Sequence, residues 1–207
     1  MEIRKHWENV YALKKSEDLS WSEETPSVSL SFLNEFNVSK DDPIIDVGGG
    51  ESTLVDHLLA NGYTDVTVLD ISAKALDRAK ARLGAKASKV KWIVSDITGF
   101  QPSRKYSIWH DRATFHFLTE GSQVERYVSI ASSNIKSDGF MTIGTFSENG
   151  PDRCSGLRTK KYSEDELRAV LEPAFNKLRC ITTDHVTPFN TVQNFLFCSF
   201  QKRVTIS

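Results

Sequence analysis

The sequence is short of several things, and each shortage excludes something. It has three cysteines, Cys154, Cys180 and Cys198, in 207 residues. An odd, sparse set argues against a disulfide framework and for a reducing compartment, so the expected location is the cytosol. No stretch approaches the roughly 18 consecutive apolar residues of a membrane span. The N-terminus, MEIRKHWENVYALKK, lacks the apolar centre of a signal peptide. Net charge is almost absent: 26 Lys and Arg stand against 27 Asp and Glu, leaving −1. That balance gives no reason to expect nucleic acid or a membrane surface as partner. The His and Cys residues show no metal-ligand spacing, and no metal is expected. Internal repeats, low-complexity runs and linkers are missing too. What remains is 39% hydrophobic and 26% charged, the make-up of one ordinary globular unit.

Strand and helix signals alternate along most of the chain. Ile44 to Val47 is short and β-branched, led in by Asp41-Asp42-Pro43, and reads as a buried strand. Leu54, Val55, Leu58 and Leu59 then share a helical face that Asn61-Gly62 stops. A second strand, Val66 to Asp70, leads to a helix capped by Ser72, with Ala75, Leu76, Ala79 and Leu83 inward and Gly84 at its end. Val90 to Val94 and Tyr106 to Trp109 give two more strands. Ser122 and Glu125 predict a capping box for the next helix, and Asp138-Gly139 predicts a turn into a fifth strand, Phe140 to Thr145. This alternation implies a parallel sheet with helices on both faces. The tail departs from it. A capping box at Ser163 and Glu166 starts a helix ending before Pro173. Leu178–Val186 and Val192–Gln201 are then separated by too few residues for a crossover, so they should pair antiparallel. Before the first strand, Thr25-Pro26 marks a helix start, and residues 1–24 read as an amphipathic lead-in.

The stretch IIDVGGGES, Ile44 to Ser52, is the most informative. Glycines let backbone approach a ligand that a Cβ would push away. In an open parallel sheet this first strand-to-helix turn lies where ligands bind. A pyrophosphate on this helix N-terminus would want no acid beside it, whereas a ligand with a positive end would accept Asp46. At these residues the chain resembles the class I, Rossmann-like methyltransferases that use S-adenosylmethionine. Asp46, Gly48 and Gly50 match their first motif, with Ser52 in place of a third glycine. Asp70 ends the second strand, where the family binds the ribose hydroxyls. Asp96 follows the third, where it contacts the adenine amino group. The terminal antiparallel pair is also a family feature, and the likeness covers residues 40 to 201.

The resemblance implies a three-layer, doubly wound α/β fold with a seven-stranded sheet, mostly parallel, closed by an antiparallel C-terminal hairpin. It implies S-adenosyl-L-methionine as cofactor, held by Asp46, Gly48, Gly49, Gly50, Asp70, Ile71, Asp96, Ile97 and His110, with Ile71 and Ile97 sandwiching the adenine. Glu51 is read as a first-turn acid stabilising its helix dipole. Residues 40–207 would form the methyltransferase domain, and residues 1–39 a helical lid and lead-in in which Trp7, Tyr11 and Trp21 cover the cofactor.

The fourth strand ends in Trp109-His110-Asp111-Arg112-Ala113-Thr114-Phe115-His116-Phe117, the densest run of chemistry in the chain. His110 or Asp111 can take a proton or orient an acceptor, and Arg112 can pair with an acceptor carboxylate. These are the catalytic candidates, with His116 at the acceptor side. The run lacks the Pro-Pro-aromatic motif of amino-methylating DNA enzymes and the paired glutamates of arginine methyltransferases. The glycine- and proline-bearing segment 145–157 reads as a loop over the site, with Cys154 an ordinary loop cysteine. Arg158, Lys160 and Lys161 read as a solvated face, and His185, Thr187-Pro188 and Gln193 as structural flanks of the hairpin turn. Methyl transfer to a small-molecule acceptor is the expected function. Methylation of a protein lysine is the alternative, and nicotinamide-dependent oxidoreduction a weaker one, since Asp70 would serve a nicotinamide cofactor equally well.

Overall fold

The computed structural model describes residues 2–204. Helix α1 (Glu2–Leu13) and helix α2 (Ser27–Glu35) precede the sheet. Then follow β1 (Ile44–Val47), α3 (Leu54–Ala60), β2 (Val66–Asp70), α4 (Ala73–Leu83), β3 (Val90–Val94), β4 (Tyr106–Arg112), α5 (Gly121–Asn134) and β5 (Ile135–Phe146). A two-residue ribbon, β6 (Arg153–Cys154) with β7 (Leu157–Arg158), leads to α6 (Glu164–Leu171), β8 (Phe175–Val186) and β9 (Val192–Lys202). The main sheet runs β3-β2-β1-β4-β5-β9-β8. The first five are parallel, while β9 is antiparallel to both β5 and β8. Strand order reverses between β1 and β4, so the crevice beyond their carboxyl ends is the place for a ligand. Among the described residues no helix is long and apolar enough to cross a membrane.

The sheet is seven-stranded and doubly wound, as the resemblance implies, and local signals account for most boundaries. Strands β1 and β2 are buried along their whole length, which is why they read as continuous apolar runs rather than alternating ones. Ser72 caps α4 by accepting from the Ala75 amide at 3.2 Å, and Gly84 takes φ +56° at its end. Ser163 and Glu166 form the reciprocal box that starts α6.

Three expectations are corrected. Helix α5 starts two positions early, with Glu120 and Gln123 forming its box instead of Ser122 and Glu125. Asp138-Gly139 is not a turn before β5 but an irregularity within it, with Asp138 at φ +63° and a register shift opposite Tyr106 and Ile108. The sparse cysteine count argues against a disulfide, yet Cys180 and Cys198 are register partners on β8 and β9 and are joined by one. Counting cysteines cannot reveal that two of them face each other across a hairpin.

One buried network fixes the end of β4. Trp109 donates its indole N–H to the Tyr127 hydroxyl at 3.0 Å, and Tyr127 donates to Asp111 Oδ2 at 2.8 Å. Asp111 Oδ1 accepts from the amides of Thr114 and Phe115 at 3.0 and 3.1 Å. Every member is satisfied, so the network can remain dry. Removing the Tyr127 hydroxyl breaks a bond to a charged acceptor and strands the indole donor. We expect Tyr127→Phe to lower the unfolding free energy by about 2 kcal/mol, measured by urea denaturation.

Candidate functional site

A cavity of about 270 Å³ opens at the carboxyl ends of the parallel strands. Its walls come from the ends of β1, β2 and β3, the loop after β4, helix α1 with Trp21 of the segment after it, and the terminal hairpin.

The glycine loop forms the first wall. Gly48 takes φ +67°, and a Cβ there would sit 1.6 Å from Thr114 Oγ1. Gly50 takes φ +49°, and its Cβ would sit 2.7 Å from the Tyr11 hydroxyl oxygen and 3.2 Å from Asp70 Oδ2. Both sites therefore need glycine for conformation and for space. The outer side of the loop is clamped by α4. Arg82 donates to the carbonyls of Glu51 and Ser52 at 2.6 and 2.7 Å, and Arg78 pairs with Glu51 at 3.0 Å. Glu51 is thus a clamp between loop and helix.

Asp70 forms the second wall. It is 7% exposed, and Oδ1 accepts from the Ser72 amide at 2.8 Å. Burial raises its pKa to about 7, against the pull of the Ser72 amide, and the nearby Asp46 carboxylate adds to the rise. Ile71 and Ile97 line the same cavity beside Ser95 and Asp96. Asp96 Oδ1 accepts from the amide and hydroxyl of Thr98, both at 2.8 Å, which fixes that carboxylate at the rim.

The third wall is aromatic. Trp7 meets Phe117 at 5.1 Å and Trp21 at 5.7 Å between ring centroids, both edge-on, and Tyr11 meets Trp21 at 6.2 Å. Helix α1 is tied down at its middle and at its C-terminal end. Glu8 accepts from the Ala73 amide at 2.7 Å, capping α4, and Arg78 donates to the Lys14 carbonyl. His116 stacks on Phe146 at 4.1 Å. Burial, with the Arg112 charge added, pushes the His116 pKa down to about 3, so its ring is neutral.

The candidates divide into two groups. Gly48, Asp70, Ile71, Asp96, Ile97, Arg112, His116, Trp7, Tyr11 and Trp21 all line the cavity. Asp46, Gly49, Gly50, His110 and Asp111 stand behind its wall, outside the lining set. Three roles therefore change. Asp46 meets His110 Nδ1 at 2.7 Å, and His110 Nε2 meets Ser29 Oγ at 2.9 Å, so both ring nitrogens of His110 are occupied. Asp111 is fully buried, holding the backbone of Thr114 and Phe115, and reaches no acceptor. Arg112 already has its carboxylate: Glu23 at 2.9 Å, besides the Trp21 carbonyl at 2.9 Å. Position along β4, more than alternation, makes this division. Residues 110 and 111 point to opposite faces of the sheet and are both covered by packed elements, while Arg112, on the same face as His110 but at the last position of β4, reaches the cavity that opens past the strand's end.

Four lining residues escape a reading by local motif. Phe146 sits at the last position of β5, and Gln193 and Phe195 lie two apart on β9. Only the hairpin register brings β9 alongside β5, so Gln193 reads from sequence as a turn flank. Cys154 also lines the cavity; burial pushes its thiol pKa up, away from a reactive thiolate.

The residues present fit an adenosyl ligand. A buried carboxylate, a glycine bend without room for Cβ atoms, two branched aliphatic side chains and a second acid share one cavity. Comparison with known proteins agrees with this geometry. Residues 44–139 match the family model described as a methyltransferase domain. A curated relative, the malonyl-[acyl-carrier protein] O-methyltransferase 2 of Ilyobacter polytropus, is 24% identical over 168 residues. That alignment covers 74% of this chain, and the chain spans 62% of the relative's length. A solved S-adenosylmethionine-dependent methyltransferase from Anabaena variabilis superposes with a TM-score of 0.74 at 15% identity, covering 98% of this chain and 96% of that one. The 1,6-didemethyltoxoflavin-N1-methyltransferase of Burkholderia thailandensis, solved with S-adenosylhomocysteine, gives 0.72 at 16% identity, covering 98% and 88%. At these identities the solved structures share the fold.

Asp70 gives a pH-dependent prediction. Its ligand-free carboxyl is protonated below about pH 7, while ribose hydroxyls donate best to the ionised form. Affinity for S-adenosylhomocysteine should therefore weaken as pH falls through about 7, by up to about tenfold per unit. In calorimetric titrations at pH 6 and pH 8, Asp70→Asn should bind at least about tenfold more weakly at pH 8 and lose the pH dependence.

Proposed function

We propose, starting from the match of residues 44–139 to the methyltransferase-domain family model, that the chain transfers the methyl group of S-adenosylmethionine to a small-molecule acceptor by in-line displacement. The observation that carries this reading is the shared cavity. Asp70, Ile71, Asp96 and Ile97 line one part of it, and Trp7, Trp21, Arg112, His116, Phe146 and Phe195 line another. A cofactor subsite and an acceptor subsite are thus continuous.

In this reading Asp70 accepts from the ribose hydroxyls and Asp96 from the adenine amino group, with Ile71 and Ile97 on the base faces. Gly48 presents its backbone to the amino acid end. Asp46, with its hydrogen-bonded His110, contributes negative charge from behind the loop. Bound there, the sulfonium supplies an electrophilic methyl and a neutral leaving group. The residues around it have to align the acceptor atom and exclude water. His116, neutral and with a pKa near 3, is too weak a base to deprotonate a reluctant acceptor at neutral pH. The acceptor atom should therefore carry a lone pair without needing a strong base.

Residues 1–39 serve as a lid in this account. A 12-residue helix such as α1 is marginal alone, since isolated helices below about 12–15 residues rarely hold in water. Its order comes from Trp7, Tyr11, Glu8 and Lys14 against the rest of the chain, so it can release and re-form as ligands pass. With α1 seated the acceptor region is roofed by Trp7, which favours a small molecule over a lysine on a protein surface.

Purified chain, donor carrying a labelled methyl group and a cell extract provide the test. Label should appear in the small-solute fraction, and Trp7→Ala should raise the acceptor KM several-fold. Label confined to a protein band would instead mark a protein substrate. Binding of a nicotinamide dinucleotide in place of S-adenosylhomocysteine would overturn the reading altogether.

A further inference from the structure

The acceptor region of the cavity contains buried polar atoms that nothing among the described residues satisfies. They are Arg112 Nε, both ring nitrogens of His116 and Gln193 Oε1. All three residues line the cavity, and His116 is fully buried. Buried polar groups are nearly always paired, so a cluster of exceptions on one wall calls for a partner from outside the chain. The cluster is mixed. Arg112 Nε–H is a donor and Gln193 Oε1 an acceptor; a neutral imidazole adds one of each. A matching ligand needs at least one hydrogen-bond acceptor and one donor.

Two further observations narrow its class. The charge of Arg112 is already balanced by Glu23 at 2.9 Å, and Glu23 also faces His185 at 3.3 Å. The remaining charged residues lining the cavity are Asp70, Asp96 and Glu120, all acids. An entering carboxylate or phosphate would find no unpaired cation there, only like charge. The shape of the region is set by rings. His116 stacks on Phe146, Phe195 meets Phe146 at 4.9 Å, and Phe117 and Trp21 meet Trp7 edge-on. Such walls favour a flat, unsaturated body.

We propose that the acceptor is an uncharged, planar heteroaromatic molecule with an amide-like polar edge, its carbonyl oxygen accepting from Arg112 and its N–H donating to Gln193, with His116 reading a further polar atom. This rests on the methyl-transfer reading and names its substrate class. Arg112, His116 and Gln193 then act as specificity determinants: a ligand that lacks the matching edge leaves them unpaired and is rejected.

Calorimetry separates this claim from the reading beneath it. S-Adenosylhomocysteine is titrated first. Absence of binding overturns methyl transfer and this inference together. With the chain saturated, quinolin-2(1H)-one and quinoline-2-carboxylate are titrated as a matched neutral and anionic pair. The neutral lactam should bind at least about tenfold more tightly, the equivalent of one well-placed hydrogen bond. His116→Phe, which keeps the stack on Phe146, and Gln193→Leu, at the start of a strand, should each weaken the lactam about tenfold without changing S-adenosylhomocysteine affinity. If the carboxylate binds as well as the lactam, if neither binds, or if both variants bind the lactam like the parent while S-adenosylhomocysteine still binds, the acceptor class is wrong and methyl transfer stands.

Discussion

The Gly48–Gly50 bend is the constraint on which this molecule turns. Three separate parts of the chain press against it: Thr114 from the loop after β4, the Asp70 carboxylate from the tip of β2, and the Tyr11 hydroxyl from the N-terminal helix. Thr114 and Tyr11 could not sit where they do if the bend carried Cβ atoms, and Asp70 would have to give way slightly. The bend is also held from outside, by Arg78 and Arg82 of α4. Sheet, helix α1 and the loop after β4 are therefore positioned relative to one backbone segment. A shift of that segment would move several walls of the cavity together.

Buried polar groups lie on both sides of the cavity wall, and they fall into two kinds. Behind the wall they are satisfied internally. Asp46, His110 and Ser29 join β1, β4 and α2, while Trp109, Tyr127 and Asp111 fix the exit from β4. Facing the cavity, Asp70 has its pKa raised by burial to about 7, and Arg112, His116 and Gln193 keep atoms without partners among the described residues. Satisfied networks give rigidity and need nothing further. Unsatisfied groups are costly unless a ligand completes them. This division, more than residue type, separates scaffold from site: two histidines six residues apart fall on opposite sides of it.

The sequence foretells the scaffold better than the site. Strand–helix alternation and the short gap before β9 carry enough information for a parallel sheet with an antiparallel end, because those signals are local. The acids at the tips of β2 and β3 are legible for the same reason: a strand's end and its last residue are both visible in sequence. The run from His110 to Phe117 is legible as important but not in its roles. Which residue faces the cavity depends on where β4 stops, and β4 runs on to Arg112. Gln193 and Glu23 are invisible to local reading, since each reaches the site through contacts distant in sequence. The cysteine pair is hidden likewise, being set by hairpin register.

The central claim is that one adenosyl ligand is held by the acids at the strand tips beside the glycine bend. A crystal structure of the chain with S-adenosylhomocysteine tests it most directly. The account predicts the ribose hydroxyls on the Asp70 carboxylate, the adenine between Ile71 and Ile97, and the sulfur facing the aromatic wall near His116. A ligand bound elsewhere, or bound here with Asp70 out of contact, would contradict it.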